Sequence, residues 1–430
     1  MKRALLITIL MLGPAAGAQV TLPRGPLPGL PGGLPAGVGL PLGAQQTLGA
    51  LTDDVDRLED TRKLQIRLLL RGHEDVLETD PSGYPIVRRE VLAYSPSDAA
   101  LARAAGAGFS IMRQRSLDSL GVRIAVLEAP RGMATKRALD LLRRLDPGGT
   151  YDFNNIYMQS GAANGAAAVP TGIGASRSAA AGPLGLIDGG VGMAQPVFQG
   201  TVIHQHGCGG AAIPSAHGTE VASLMVGRSA RFGGAAPGAT LYAADVYCGK
   251  PTGGAVDAIV EALAWLVAER VPVINLSLVG PSNALLQQVV AHIVSQGFLL
   301  VAAVGNDGPA APPLYPAAYP GVVGVTAVDA RRRVIFEAER GPQVMFAAPG
   351  ADIAAASASD GFATVRGTSF AAPLVAGLLA AHVGTSPDPV AARAAVAALA
   401  REAVHLGSRG RNSVYGYGLV GADLPSSRPE

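Results

Sequence analysis

From Leu184 onward the chain alternates short apolar runs with longer stretches of helical spacing. Leu184 to Ile187, Leu241 to Val246, Val273 to Leu278, Phe298 to Ala303 and Val322 to Val328 are nearly continuous in apolar residues, as strands covered on both faces must be. The stretches 217–228, 254–269 and 283–296 between them read as helices. This alternation predicts an α/β fold, a mostly parallel, doubly wound sheet with helices on both faces. Such sheets bind ligands beyond the carboxyl ends of their strands. A last apolar run, Leu374 to Ala381, follows Gly367-Thr368-Ser369-Phe370-Ala371-Ala372-Pro373. It predicts a buried helix with a serine on its first turn and a proline early enough to be tolerated.

Upstream, residues 85–157 carry a different pattern. Ile86 to Tyr94 reads as a strand. Ser95 or Ser97 can cap a helix running to Ala105, ended by Gly106 and Gly108. Phe109 to Arg113 and Val122 to Leu127 read as strands. Ala134 to Leu145 has helical spacing at Ala138, Leu141, Leu142 and Leu145, the run Asp146-Pro147-Gly148-Gly149 turns the chain, and Thr150 to Asn154 closes the set. The order β-α-β-β-α-β is the split βαβ arrangement of a small α+β domain. We assign it to 85–158 and expect a pro-domain. Residues 159–182 are Ala, Gly and Ser with few bulky side chains, so a flexible, protease-accessible linker is expected. The Pro/Gly/Leu-rich run 19–48 suits an extended spacer. Leucines at mixed spacing leave 50–75 without an assignment, so 19–84 counts as spacer and unassigned chain. The α/β domain is placed at 183–422 and a tail at 423–430.

Composition narrows the function. Of 430 residues 49% are hydrophobic and 15% charged, which supplies a large core. The net charge of +2 leaves no electrostatic footprint for nucleic acid. Met1-Lys2-Arg3, the apolar run Ala4 to Leu12 and Ala16-Gly17-Ala18 read as a signal peptide, 1–18, cleaved after Ala18. Export to the periplasm or the medium is expected. The run is too short to span a bilayer, and no other run of membrane length appears. In an oxidising compartment Cys208 and Cys248 are expected to pair, worth about 4 kcal/mol in a chain-entropy treatment. A rival reading remains. His204, His206 and Cys208 alternate and share one face of a strand, and with Cys248 they form a set that suits zinc.

Four positions carry chemistry. Leu186-Ile187-Asp188-Gly189-Gly190-Val191 ends a strand on an aspartate. His217-Gly218-Thr219-Glu220-Val221-Ala222 opens a helix on a histidine. Gly305-Asn306-Asp307-Gly308 follows another strand, and Ser369 opens the last long helix. Singly, each has a plainer reading: Asp188 and Asn306 as turn residues, His217 as an ordinary helix-start histidine, Ser369 as an N-cap. A dinucleotide loop at Leu186 to Gly192 is excluded, because the third glycine is missing and Asp188 would face the phosphates.

Taken together they spell Asp, His, Ser in chain order, with an amide donor between His and Ser. The motifs resemble those of the subtilisin-like serine peptidases (subtilases), over about 183–422. Subtilisin is the standard worked case for both that order and the asparagine donor. Ile274-Asn275-Leu276-Ser277-Leu278, Phe346-Ala347-Ala348-Pro349-Gly350 and Gly416-Tyr417-Gly418-Leu419-Val420 match further landmarks of the family. The small upstream unit resembles its inhibitory propeptide more loosely. Gly189 departs from the pattern, since members often carry a hydroxyl-bearing residue there.

The resemblance implies an exported serine endopeptidase made as a self-processing zymogen. Ser369 would be the nucleophile, His217 the base, Asp188 its orienting partner, and Asn306 with the Ser369 N–H the oxyanion donors. Substrate would lie extended between Ser277-Leu278-Val279 and Gly253-Gly254, with Ala302, Ala303 and Val304 lining the first specificity pocket and favouring an apolar P1. The propeptide end near Tyr157-Met158 would lie in the cleft as an intramolecular inhibitor, and maturation would fall within 158–182. Polypeptide substrates, a monomer and no cofactor are implied. Members often bind calcium through scattered loop carboxylates and carbonyls, and no local run here marks a site. Three other readings stand beside this one. The first is a catalytically inactive, peptide-binding homologue. The second is an acid-acting relative with Glu as base, which His217 argues against. The third is a cell-surface structural protein, which the missing repeat argues against.

Overall fold

The structure is a computed structural model that describes residues 62–160, the backbone of 162–167, and residues 181–230, 232–358 and 361–424. The expected signal peptide, the Pro/Gly-rich spacer and the end of the tail lie outside these residues. Helix α1 covers 62–71 and strand β1 covers Leu77–Thr79. Then come β2 (Pro85–Tyr94), α2 (Asp98–Gly106), β3 (Ser110–Leu117), β4 (Val122–Glu128), α3 (Thr135–Leu145) and β5 (Thr150–Asn155), in the expected order. Their sheet is antiparallel: β2 pairs with β1, β4 and β5, and β4 with β3. Because Leu77 of β1 pairs with Val87, the sheet begins before residue 85. Three residues are too few for an alternation to be read. Ser97, rather than Ser95, caps α2, its hydroxyl accepting the Ala100 N–H at 3.1 Å.

Two more short strands follow, β6 (Met158–Gln159) and β7 (Ala162–Ala167). The second unit then contains β8 (Leu184–Asp188), β9 (Ile203–Gly207), α4 (Ala216–Val226), β10 (Leu241–Asp245), α5 (Val256–Ala268), β11 (Val273–Leu276), β12 (Leu278–Val279), α6 (Ala284–Ser295), β13 (Leu299–Ala303), β14 (Val323–Val328), β15 (Val344–Pro349), β16 (Ala351–Ala356), β17 (Phe362–Arg366), α7 (Thr368–Val383) and α8 (Pro389–Glu402). Seven of these strands form one parallel sheet in the order β15-β14-β13-β11-β8-β10-β9. The chain leaves β8 in both directions, so its carboxyl end is a switch point, and Asp188 is its last residue. Helices α4, α7 and α8 share one core with the sheet, and α5 and α6 share the other. Helix α7 is buried from Thr368 to Ala380, which explains why it is apolar all round.

Two expectations are corrected. The run Val273 to Leu278 is not one strand. It breaks at Ser277, and Leu278–Val279 leaves the main sheet to pair antiparallel with β6. The described part of the expected linker is not a free tether either: β6 is held by β12, and β7 is held by β17, which also pairs with β16. Backbone pairing needs no bulky side chain, so an Ala/Gly/Ser composition did not reveal it. Strand β9 lies where the alternation of His204, His206 and Cys208 put a strand, although the apolar runs did not mark it. It is an edge strand, and its polar residues His204, Gln205 and His206 suit that place.

The small unit lays one sheet face, Leu92, Ile124 and Val126, on α5 and α6. Its polar residues also cap those helices. Asp152 accepts the Ala284 N–H at 2.6 Å, and Asn154 accepts the Asp257 N–H at 3.2 Å. Both donors lie in first helical turns, where no intrahelical acceptor exists. Asn283, the N-cap of α6, accepts from Leu285 and Leu286 and donates to the Phe153 carbonyl at 2.8 Å and to Asn155 at 3.0 Å. Arg113 bridges Glu90 and Asp257 at 2.8 Å each. Asn283→Ala removes the cap and the bond to the Phe153 carbonyl, which together should cost about 2 kcal/mol. Thermal unfolding of the intact chain should show a midpoint several degrees lower, and an unchanged midpoint would contradict this account of the junction.

Candidate active site

Strand β8 delivers the Asp188 carboxylate, fully buried, to the switch point. Its Oδ1 accepts the Gly189 N–H at 2.7 Å and Gln159 Nε2 at 3.1 Å, and its Oδ2 accepts His217 Nδ1 at 2.8 Å. This last bond puts the imidazole proton on Nδ1 and leaves the lone pair on Nε2. His217 is the second residue of α4, whose N-cap Ser215 accepts the Gly218 N–H at 3.0 Å. Its Nε2 is buried and has no hydrogen-bond partner among the described residues. Burial opposes charge on the ring, but the Asp188 charge and hydrogen bond, with Glu220 behind them, outweigh it and raise the His217 pKa above the usual imidazole value. Glu220, itself buried, is held above the usual carboxylate range by desolvation. The glycine at 189 has a steric reason, since a Cβ there would lie 2.3 Å from Ser215 Oγ. Ser215 fills the space a side chain at 189 would need.

Ser369 is the second residue of α7 and not its cap; that position belongs to Gly367, at φ 139°. Pro373 is the sixth residue of the helix, far enough in to remove the N–H that would meet the Ser369 carbonyl. Ser277 replaces it: its hydroxyl donates to that carbonyl at 2.9 Å and accepts Asn275 Nδ2 at 2.8 Å. The Ser369 hydroxyl donates to the Ser277 carbonyl at 3.2 Å. Asn306 accepts the Thr368 N–H through Oδ1 at 3.1 Å, which turns its Nδ2 donor outward.

The chain's own residues 157–160 run through this site. The Tyr157 N–H donates to the Gly254 carbonyl at 2.8 Å, and Tyr247 Oη donates to the Tyr157 carbonyl at 3.1 Å. Met158 and Gln159 pair with Val279 and Leu278. The Ser160 carbonyl accepts the Ser369 N–H at 3.2 Å, and Asn306 Nδ2 donates to Ser160 Oγ at 2.8 Å. Gln159 touches Asp188 and its neighbour Ser160 touches Ser369. Adjacent Cα atoms are about 3.8 Å apart, so the Asp188–His217 pair and Ser369 face one cleft. The Tyr157 ring is fully buried over Gly280, where a Cβ would come within 2.7 Å of it, and its hydroxyl donates to the Pro281 carbonyl at 2.5 Å.

The other expected site residues are spread out. Gly254 meets the bound segment, whereas the Gly253 N–H turns back to the Lys250 carbonyl. Ala302, Ala303 and Val304 are wholly buried, Ala303 in one core and Ala302 and Val304 in the other, and they carry the chain to Gly305-Asn306. Cys208 and Cys248 have sulfurs 2.12 Å apart, at disulfide-bonding distance. His204 and His206 stack on Tyr242 and Trp265, at 4.7 and 4.8 Å. Sequence reasoning missed Gln159, Ser160, Ser215 and Tyr247. The first two were hidden in a small-residue stretch, and the others carry no local signature. One unassigned residue also reaches the site's rim: Arg62 of α1 pairs with Asp307, next to Asn306, at 3.2 Å.

Ser277→Ala should leave the Ser369 carbonyl buried without a donor, a loss of about 1–3 kcal/mol. A lower thermal midpoint in Ser277→Ala, largely recovered in Ser277→Thr, is the expected result. Equal midpoints for Ala and the parent would remove this account of the proline.

Comparison with known proteins bears on the family. A model of the Subtilase family matches residues 211–418. Minor extracellular protease Epr of Bacillus subtilis (strain 168) is 34% identical over 208 residues, 47% of this chain, and this chain spans only 32% of its length. Subtilisin BL of Lederbergia lenta is 36% identical over 211 residues, covering 48% of this chain and 76% of that protein. Among solved structures, fervidolysin from Fervidobacterium pennivorans, a keratinolytic enzyme related to subtilisin, superposes with a TM-score of 0.66 at 19% identity. The match covers 82% of this chain and 62% of that one. A point mutant of the protease domain of PatA gives a TM-score of 0.51 at 25% identity, covering 57% of this chain and 94% of that one. With its parallel sheet, its buried Asp188–His217 pair and its helix-borne Ser369, this chain belongs to the subtilase family.

Proposed function

We propose that the protein is an exported serine endopeptidase, made as a zymogen that cleaves itself between Ser160 and Gly161. The observation that carries this reading is the path of residues 157–160 along the cleft, with the Ser160 carbonyl on the Ser369 N–H. A strand added to β12 is how an extended peptide is held, by main-chain bonds that ignore most side chains. A carbonyl on a helix N-terminal N–H is where negative charge would be stabilised as it develops. The residues upstream of 160 form the inhibitory unit, anchored by the Tyr157 ring. Polypeptides are the substrates, bound with a small or apolar residue at P1. The maturing enzyme works as a monomer in the periplasm or the medium, stapled by Cys208–Cys248, and needs no cofactor. No described helix is long and apolar enough to cross a membrane.

The chemistry follows from the side chains. Ser369 leaves the Ser277 carbonyl and gives its proton to His217 Nε2, which Asp188 has left free to accept it. Ser369 Oγ attacks the Ser160 carbonyl carbon, and charge collects on the carbonyl oxygen. The protonated His217 then gives its proton to the Gly161 nitrogen as the C–N bond breaks. Water, activated in turn by His217, hydrolyses the ester. A second reading, a peptide-binding member without activity, draws on the position of the Ser369 hydroxyl, which rests on Ser277.

Fluorophosphonate labelling separates the two readings. The mature chain should label at Ser369, and Ser369→Ala should neither label nor process. Processing of Ser369→Ala to the same fragment in a protease-free preparation would refute self-cleavage, and absence of label in the parent would favour the binding protein. The base must be neutral to act, so the rate falls as pH drops through the His217 pKa. That pKa is raised, so the acid limb should lie above the ordinary imidazole value of about 6.5. Asp188→Asn removes the raising charge and should move the limb down while lowering kcat on the order of 10⁴-fold, a magnitude taken from subtilisin itself. A pH profile of Asp188→Asn that keeps the parent's limb would contradict this role.

A further inference from the structure

We infer that the hydroxyl of Ser160 is a brake on self-cleavage, because it occupies the oxyanion donor that its own carbonyl needs. This rests on the self-processing reading above and adds a device within it. An amide oxyanion site works by aiming two donors at one oxygen. Here the two donors are divided. The Ser369 N–H meets the Ser160 carbonyl oxygen at 3.2 Å, while Asn306 Nδ2 donates to Ser160 Oγ at 2.8 Å. The diversion is well supported. Asn306 cannot turn its amide over without losing the Thr368 N–H held at 3.1 Å by its Oδ1. The Thr368 hydroxyl, which accepts the Gly305 N–H at 3.2 Å, lies 3.4 Å from Ser160 Oγ and fixes the same hydroxyl from its other side. Ser160 is buried, so water does not compete freely for this bond.

The consequence is a scissile carbonyl with one donor in place of two. Bond formation from Ser369 Oγ to the Ser160 carbonyl carbon, and breakage of the bond to Gly161, must wait until Ser160 rotates about χ1 and releases Asn306. A residue with no γ-hydroxyl at 160 has nothing to hold the amide, so Asn306 can turn to the carbonyl at once. The nascent zymogen thereby has time to complete its fold before its inhibitory unit is cut away. The same logic extends to peptide substrates: serine just before the scissile bond should be cut more slowly than alanine.

The test is a double-mutant cycle on the full-length chain, following the appearance of the Gly161 N-terminus by mass spectrometry. Ser160→Ala should process at least about tenfold faster than the parent, as one recovered oxyanion donor allows. In an Asn306→Ala background, slow in itself, Ser160→Ala should give no acceleration, because no donor remains to release. A merely structural effect of the serine would survive in that background. Ser160→Ala no faster than the parent, or an acceleration of equal size without Asn306, overturns the brake. If neither parent nor Ser160→Ala is cut but both label with fluorophosphonate, the brake is refuted while the hydrolase reading stands. Absence of both cutting and label refutes the two together.

Discussion

The first turn of a buried helix is the constraint around which the site is built. Helix α7 begins in the interior, where its unpaired groups cannot turn to water. Each is met from a different part of the chain: the Thr368 N–H by Asn306, the Ser369 N–H by Ser160, and the Ser369 carbonyl by Ser277. Among them, the Ser369 N–H and the Asn306 amide are what a hydrolytic site would use. Satisfying the helix end would thus also assemble the oxyanion site proposed above. Pro373 makes the dependence stronger, because it removes the intrahelical donor and hands that carbonyl to Ser277.

The small unit follows the same logic on the other face of the sheet. Helices α5 and α6 also begin at buried ends, and the side chains that meet them, Asp152 and Asn154, come from upstream of the cleft segment. The upstream unit therefore completes the second unit as well as covering it. Tyr157 joins the two roles, with its ring buried beneath Gly280 and its backbone paired to Gly254. Most of the hold on residues 157–160 is through main-chain atoms, which suits a cleft that accepts many sequences. Of the specific side-chain contacts, the one at Tyr157 falls where the resemblance placed the propeptide end, while those at Gln159 and Ser160 were not flagged.

Gly189 illustrates how a departure from a familiar motif can be read wrongly from one dimension. In the sequence it looks like the loss of a hydroxyl beside Asp188. In three dimensions Ser215, from a segment 26 residues further on, already fills that space, and a larger residue at 189 would collide with it. The alternating histidines likewise take their surroundings from distant parts of the chain. His204 and His206 do share a face of β9, as alternation requires. The neighbouring strand β10 and helix α5 supply Tyr242 and Trp265 as stacking partners, and Cys208 turns to Cys248 instead.

Apolar runs and their spacing determined the layered α/β architecture and the small α+β unit and put Asp188, His217, Asn306 and Ser369 at element ends, while their joint reading came from the family motifs. These features are local: burial on both faces makes a strand continuous in apolar residues, and a chemical residue at an element's end is flanked by the glycines that let it turn. Tertiary structure alone decided that Met158–Gln159 and Ala162–Ala167 would pair as strands, that β1 would join the small sheet, and that Ser277 would answer for Pro373. It also decided that Asn306 would hold a hydroxyl and not a carbonyl. Periodicity reports how much of a residue is covered. Which distant backbone or side chain does the covering depends on how the layers pack, and that information is not carried by neighbours along the chain.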